Sequence, residues 1–285
     1  MIKTILCIFD GGKRELNALN MAFLMAKKHR AQLRILHVSP QPATYSGVIY
    51  GENIISLGAI IESIEAKNKQ LAQETKEIAF SAAKKHGLFL DGKTETTSSA
   101  LFIHAVGAMG QIIAQEGRLC DLIIFCREAT PSYDLTVTAL FKTARPVLLM
   151  PPAQDKLQHK NLCKTISFAW NGSLEASRAL YNALPLLEEV SKLHILTVQE
   201  KPSNQALQGN ISDYLASHQI VAEKLSFVSG QHRTTAESLL MHARKLNTDL
   251  LIMGAYHHSM LKEMVLGGVT EHMLNHADIP LLISH

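Results

Sequence analysis

The chain has 285 residues, of which 47% are hydrophobic and 19% are charged, a balance typical of a globular protein with one large domain or two smaller ones. The 28 Lys and Arg residues barely outnumber the 25 Asp and Glu residues, so the charge does not favour a nucleic-acid or membrane surface. The longest apolar runs have the length of strands, and the N-terminus lacks the pattern of a secretory signal. Four cysteines without a CxxC pair indicate reduced thiols. We therefore expect a cytoplasmic protein without nucleic-acid or membrane partners.

The second half of the chain repeats the first half. Three segments recur in the same order in both halves of the chain, which indicates duplication of a whole domain. We predict a first domain at residues 1–151, a proline-led polar linker at 152–162 and a second domain at 163–285. The matching segments are Lys3–Gly11 with Lys164–Gly172, Asp121–Ile124 with Asp249–Ile252, and Pro146–Leu149 with Pro280–Ile283.

Short apolar runs alternate with helical patterns along both copies. The first copy follows the same order as the second, with a longer second helix around Ala59–His86. Continuous apolar strands separated by helices predict a parallel sheet covered on both faces, so each copy is predicted to be a five-stranded, doubly wound α/β sandwich. In the second copy the predicted strands are Thr165–Trp170, Leu193–Val198, Ile220–Phe227, Asp249–Gly254 and Pro280–Ile283, and the predicted helices are Ser173–Val190, one within Asn210–His218, Ala236–Leu246 and Val269–His276.

The last strand of each copy begins with a proline, which lacks the N–H that a central strand donates. These two strands, Pro146–Leu149 and Pro280–Ile283, are therefore predicted to lie at sheet edges. Exposed apolar edges tend to pair. We expect the two edges to meet across an internal twofold axis, which makes the chain a covalently linked pseudo-dimer, and we leave further association into a homodimer open.

A glycine-rich segment follows the fourth strand of the second copy. Gly254 ends that strand, and Gly267 and Gly268 immediately precede the next helix. Free N–H groups and the dipole at a helix N-terminus favour an anion, so this segment could hold a phosphate. The same glycines could equally serve only to turn the chain and end the strand.

The duplication, the strand followed by Asn171-Gly172-Ser173, and the spacing Gly254-x2-His257-x9-Gly267-Gly268 resemble the universal stress protein family in its two-domain form. The resemblance covers nearly the whole chain. It implies an adenine nucleotide alpha hydrolase-like (HUP-type) fold with strand order 3-2-1-4-5. It also implies a site for ATP or another adenine nucleotide, with no metal beyond Mg²⁺ that accompanies ATP. The residues implied to form this nucleotide site are Ala169, Asn171, Val198, Gly254, His257, Gly267, Gly268, Val269 and Thr270.

Three positions depart from the pattern of ATP-binding members. His257 replaces a glycine, Gly268 replaces a Ser or Thr, and Asn171 replaces an aspartate. Each change removes a favourable interaction or adds a side chain, and polar interactions left unmade cost ~1–3 kcal/mol apiece. His257, His258 and Lys262 offer donors that could compensate. In the first copy the glycine segment between Cys126 and Tyr133 is six residues shorter than its counterpart, so that copy is not expected to bind nucleotide in the family's manner.

Other candidates have simpler interpretations. His272 and His276 stand four apart on a predicted helix, a spacing that can chelate a metal, but no further ligand completes a set. Cys7 and Cys126 approach each other if the first and fourth strands are neighbours, and buried inert thiols are the favoured interpretation. The apolar segment Tyr45–Ile61 is interpreted as a helix start packed on the sheet rather than as a partner-binding flap.

We expect a universal stress protein that acts by binding and conformational signalling. No serine hydrolase elbow or catalytic base was found in the sequence, so no enzyme activity is predicted and ATP hydrolysis is the less favoured third hypothesis. The alternative function is a nucleotide-independent dimerisation or adaptor module whose nucleotide loop is a relic.

Overall fold

The structure, a computed structural model, describes residues 1–41, 54–90, 98–127, 133–152, 164–199, 211–228, 234–255 and 267–285. Contacts between residues separate the chain into two compact units, Met1–Cys126 and Arg127–His285. Within the described ranges, no helix is both long and apolar enough to cross a membrane.

The first unit alternates strands and helices. Its strands β1, β2 and β4 and its helix α1 have the expected order, and α2 is the long second helix that the sequence predicts. A two-residue strand, β3, is an addition that the sequence pattern did not indicate. The elements are β1 (Thr4–Ile8), α1 (Leu16–His29), β2 (Gln32–Ser39), α2 (Ile54–His86), β3 (Phe89–Leu90), β4 (Ser99–Val106), α3 (Met109–Gly117) and β5 (Leu122–Cys126).

The strands of the first unit follow the order β3-β4-β2-β1-β5, and every pair is parallel. Strand β5 is buried along its whole length, and β1 is buried at all but its first residue. Both strands are buried and apolar, as expected for a sheet with helices on both faces.

The second unit begins with the last helix and strand of the predicted first domain. Its elements are α4 (Tyr133–Thr143), β6 (Val147–Met150), β7 (Thr165–Ala169), α5 (Leu174–Leu187), β8 (Lys192–Gln199), α6 (Ile211–Ser217), β9 (Glu223–Val228), α7 (Thr235–Lys245), β10 (Leu250–Gly254), α8 (Gly268–His276) and β11 (Leu281–Ser284).

The sheet of the second unit confirms the predicted α/β fold. Strands β9-β8-β7-β10-β11 are parallel and have the order 3-2-1-4-5, counted from the start of the repeat. Strand β6 continues the sheet on the other side of β11 and is antiparallel to it, with Leu148 opposite Leu282. This pairing groups β6 with the second unit, although the sequence places it at the end of the first repeat.

An aspartate anchors the first strand of each sequence repeat, β1 and β7. Asp121, just before β5, accepts hydrogen bonds at one carboxylate oxygen from the N–H groups of Lys3 and Thr4, at 2.7 and 2.9 Å. Asp249, just before β10, accepts the equivalent pair from Lys164 and Thr165, at 3.1 and 2.8 Å. The same interaction at matching positions is the structural counterpart of the repeat in the sequence.

Side chains also fix where the helices of the second unit begin. The hydroxyl of Ser173 accepts a hydrogen bond from the Ala176 N–H and caps α5. Thr234 and Glu237 form a capping box at the start of α7, in which each side chain accepts from the other residue's N–H. Helix α8 differs, because its N-cap residue is Gly267, which has no side chain to cap the helix.

We expect the substitution Leu282→Ala to test the packing between β6, β11 and β10. Leu282 is fully buried and lies opposite residues of both neighbouring strands. Loss of a buried leucine side chain costs about 2–5 kcal/mol of unfolding free energy. Val221→Ala, at a residue that is 90% exposed, is the matched control and should change stability by less than about 0.5 kcal/mol. Urea unfolding measures both; equal midpoints for the two variants would contradict this packing.

Candidate functional site

A cavity of about 280 Å³ lies in the second unit at the carboxyl ends of β7, β8 and β10. Helices α5, α7 and α8 contribute the rest of its wall. In doubly wound sheets, ligands bind at this edge of the strands, near the point where the strand order reverses. Strand β7 is that point, since β8 lies on one side of it and β10 on the other.

The structure brings eight of the nine predicted site residues together in the wall of this cavity. The ninth, His257, lies outside the described residues, as do His258 and Lys262. The eight are Ala169, Asn171, Val198, Gly254, Gly267, Gly268, Val269 and Thr270, and the sequence analysis did not identify their neighbours Trp170, Ser173, Glu175, Leu196, Thr235, Leu239, Met253 and Ala255. Three of these neighbours, Trp170, Met253 and Ala255, are adjacent in sequence to Ala169 or Gly254, and that adjacency was the signal available for them.

Gly254 is required by close packing. A Cβ built at this position would lie 2.5 Å from the Ala176 nitrogen and 2.5 Å from the Glu175 carbonyl carbon, both backbone atoms at the start of α5. Since neither atom belongs to a flexible side chain, α5 or β10 would have to shift to admit a methyl group. The glycine thus lets the helix N-terminus approach the strand end, which is a different reason from the chain turn considered from the sequence.

Open backbone at the start of α8 forms one end of the cavity. The first intrahelical bond of α8 runs from the Glu271 N–H to the Gly267 carbonyl, which leaves the N–H groups of Gly268, Val269 and Thr270 ahead of the hydrogen-bonded ladder. Among the described residues, a Cβ at Gly267 or Gly268 would meet no atom within 4 Å. Uncapped N–H groups at the positive end of a helix dipole suit an anion.

The other end of the cavity is apolar. Leu196 and Met253 are buried there, and Ala169 and Val198 are partly exposed beside them. Asn171, at the mouth, uses its side-chain oxygen to accept the Ser173 N–H at 3.1 Å, a turn that leads into α5. An aromatic base therefore has an apolar wall to pack against, and Asn171 already has one hydrogen bond at its acceptor.

Trp170 lies between this cavity and a second hollow. The second hollow, of about 900 Å³, is more open and is bordered by α4, α5 and α6. Trp170 lines both, and its indole nitrogen is buried without a hydrogen-bond partner among the described residues. It is the only tryptophan in the sequence, so its fluorescence reports on the cavity wall.

The universal stress protein family model matches residues 1–98 and 163–285, which is most of the chain in two separate copies. This match decides the family. The chain belongs to the universal stress protein family. The tandem form inferred from the repeat is therefore confirmed.

Solved structures share the universal stress protein fold over the full length. A universal stress protein from Archaeoglobus fulgidus DSM 4304 is 16% identical, with a TM-score of 0.72 over 99% of this chain and 95% of that chain. A protein described as a putative universal stress protein from Pseudomonas aeruginosa UCBPP-PA14 is also 16% identical, with a TM-score of 0.59 over 99% of this chain and 93% of that one. At this identity the likeness shows the fold alone. A search of curated proteins finds no match.

The remaining sequence candidates lie outside the cavity. The rings of His272 and His276 stack with centroids 4.3 Å apart, and the His276 Nδ1–H donates to the His272 carbonyl. Among the described residues, no group of three or more potential ligands is placed to hold a metal. Most of the linker 152–162 and part of Tyr45–Ile61 lie outside the described residues.

Cys7 and Cys126 lie on the neighbouring strands β1 and β5 of the first unit, and neither forms a disulfide. Burial, Glu15 and Cys126 raise the pKa of the Cys7 thiol far above its ordinary value. Because the thiolate is the reactive form, Cys7 is unreactive in the folded protein.

The carboxyl edge of the first unit holds a polar cluster instead of a glycine cradle. His37 and Ser39 on β2 and His104 on β4 lie beside Asp10, which follows β1. Desolvation, followed by the nearby His37, lowers the pKa of the His104 imidazole. The sequence analysis identified none of these four residues as site residues, because they belong to no recognised motif. The pair His37-x-Ser39 at a strand end was the only available signal.

Gly254→Ala tests the close approach of β10 and α5. The added methyl group must displace backbone, so we expect a loss of about 1–3 kcal/mol in unfolding free energy. Gly268→Ala is the matched control, because its Cβ enters open space and should change stability by less than about 0.5 kcal/mol. Chemical denaturation compares the two, and a Gly254→Ala variant as stable as the control would show that the contact is absent.

His104 should make stability pH-dependent in a known direction. Burial, followed by the nearby His37, holds the pKa of the folded His104 imidazole below its ordinary value, so the unfolded state binds the proton more readily. The contribution of the neutral His104 imidazole to the free energy of unfolding is complete above pH 6.5, and it is lost as the pH falls through the pKa of the folded state. We expect His104→Gln to lose less stability than the parent protein between neutral and mildly acidic pH in urea titrations. Parallel curves would refute the assignment.

Proposed function

We propose that this universal stress protein binds an adenine nucleotide, ATP or AMP, in the cavity of its second unit. We further propose that this cavity serves binding and conformational signalling rather than catalysis, in a cytoplasmic protein. The observation that carries the proposal is the convergence of eight of the nine residues implied by the family resemblance on one cavity at the carboxyl edge of the sheet. Residues from four strand or helix ends contribute, which chance spacing of glycines does not explain.

The chemistry of the two cavity ends fits the two ends of a nucleotide. The adenine base would pack against Ala169, Leu196 and Val198, and the phosphates would accept hydrogen bonds from the N–H groups at the start of α8. Mg²⁺ would arrive with a triphosphate, and Glu175 is the carboxylate in the described wall. With one carboxylate and no histidine among those wall residues, the site suits binding better than hydrolysis.

A nucleotide-independent adaptor is the second candidate function. Its support is the antiparallel pairing of β6 with β11, the last strands of the two sequence repeats. We propose that this pairing makes the chain an internal pseudo-dimer, and that a relic nucleotide loop would leave that role intact. The departures at His257, Gly268 and Asn171, together with the hydrogen bond already made by the Asn171 oxygen, are what an adaptor would tolerate.

Calorimetry with ATP separates the two functions when it is combined with a charge variant in the first turn of α8. We expect the parent protein to bind ATP and to show a change in Trp170 fluorescence. Val269→Glu should weaken binding at least about tenfold, because a carboxylate then competes for the same N–H groups. Val269→Gln is the uncharged control and should retain binding.

The sign of the stability change guards against misfolding as the explanation. A carboxylate near a helix N-terminus is stabilising, so Val269→Glu should be at least as stable as Val269→Gln. Absence of heat for the parent protein at millimolar ATP, together with no nucleotide in native mass spectra of the purified protein, would favour the adaptor. His257→Gly gives a second comparison, since a restored glycine should strengthen binding if the loop functions.

A further inference from the structure

The polar cluster of the first unit forms because three parallel strands end at one edge of the sheet. His37 and Ser39 are two residues apart on β2, so their side chains share a face. His104 lies directly opposite His37 on the neighbouring strand β4, and Asp10 follows β1 on the other side of β2. The fold therefore places a hydroxyl, two imidazoles and a carboxylate together.

The distances link these four groups in sequence. Ser39 Oγ lies 2.9 Å from His104 Nε2 and 3.5 Å from His37 Nε2. The opposite nitrogen of His37, Nδ1, lies 3.2 Å from Asp10 Oδ1, an ion-pair distance at which the two atoms are not aligned for a hydrogen bond. Both imidazoles thus direct Nε2 at one hydroxyl, and a carboxylate lies behind one of them.

This cluster is specific to the first unit. The position equivalent to Asp10 is Asn171, and those equivalent to His37 and Ser39 are Thr197 and Gln199. The residue opposite Thr197 on β9 is Ser226, where the first unit has His104 opposite His37. The common fold does not require the imidazoles, because the second unit builds the same strands without them.

We propose that Ser39 is a nucleophile that accepts the acyl group of a small activated carboxylic ester. A serine hydroxyl within hydrogen-bonding reach of an imidazole is an arrangement that activates a nucleophile, and Ser39 Oγ and His104 Nε2 meet it at 2.9 Å. Ser39 Oγ attacks the carbonyl carbon, its proton passes to His104 Nε2, and the bond to the leaving alcohol breaks as that alcohol takes the proton. Water then hydrolyses the Ser39 ester with the same imidazole as base, which releases the acid.

The surroundings suit these roles. Ser39 and His37 are buried, whereas His104 is exposed, so the imidazole that takes the proton is in contact with solvent. Burial and His37 lower the pKa of His104, which keeps its imidazole neutral and able to accept a proton at pH 7. His37 is a positioning residue, whose Nδ1 lies 3.2 Å from Asp10 Oδ1 and whose Nε2 faces the Ser39 hydroxyl.

Diisopropyl fluorophosphate is a suitable probe because it reports nucleophilic serines without requiring the natural ester. Ser39 Oγ forms a bond to phosphorus, fluoride leaves, and the hydroxyl proton passes to the imidazole. Peptide mass spectrometry of the full-length protein should find the label on Ser39 and not on Ser99, which is equally buried but lies at the opposite end of β4. Ser39→Ala should abolish the label, and Ser99→Ala should leave it unchanged.

A second variant tests the role of the base at an exposed position, where substitution disturbs folding least. His104→Ala should slow labelling of Ser39 about a hundredfold, within the usual range for loss of a general base. Added imidazole should restore part of that rate, which a purely structural role would not predict. No label on Ser39 in the folded parent protein, or equal labelling rates with and without the His104 imidazole, would overturn the proposal.

Discussion

The hydrogen bonds from one aspartate carboxylate to two backbone N–H groups set the frame of each unit. Asp121 holds the start of β1 beside β5, and Asp249 holds the start of β7 beside β10. In each pair, two parallel strands meet that are not consecutive in the chain. Hydrogen bonds to a charged group contribute about 1.5–3 kcal/mol, more than most neutral ones. Because this interaction fixes the register of β1 with β5 and of β7 with β10, it also fixes which side chains reach the carboxyl edge of the sheet.

The two units use the same frame to build different edges. In the second unit β10 ends at Gly254, whose missing side chain admits the start of α5. In the first unit the equivalent strand, β5, ends at Cys126, whose thiol donates to the Arg14 carbonyl at 3.4 Å. One edge is bare backbone that suits an anion. The other carries Asp10 and the His37–Ser39 pair, which suit proton transfer. Duplication followed by divergence of the strand ends accounts for both edges without any change in the fold.

The sequence predicts the parts that depend on local patterns. Apolar strands such as Thr165–Ala169 and the capped helix Leu174–Leu187 are recognisable because burial and capping impose residue types at fixed spacings. The cavity residues were implied by the resemblance to the universal stress protein family, which rests on the repeat and on the spacing of Gly254, Gly267 and Gly268 in the chain. The two-residue strand β3 carries too short a pattern to be predicted.

Contacts between distant strands are harder to infer from sequence. His37 and His104 lie far apart in the chain and meet only because β2 and β4 pair in a particular register. A shift of one residue would turn His104 to the other face of the sheet. The closeness of Gly254 to Ala176 likewise depends on how a helix packs on a strand. Such pairings require coordinates, since single residues carry little information about register.

We propose that one duplicated frame carries an anion site in the second unit only. The most direct measurement is a backbone amide NMR titration of the full-length protein with ATP. We expect saturating shifts at Gly254 and at Gly268, Val269 and Thr270, with Asp10, His37 and Ser39 unchanged. Shifts centred on the first unit's edge, or none in either unit at millimolar ATP, would contradict the account.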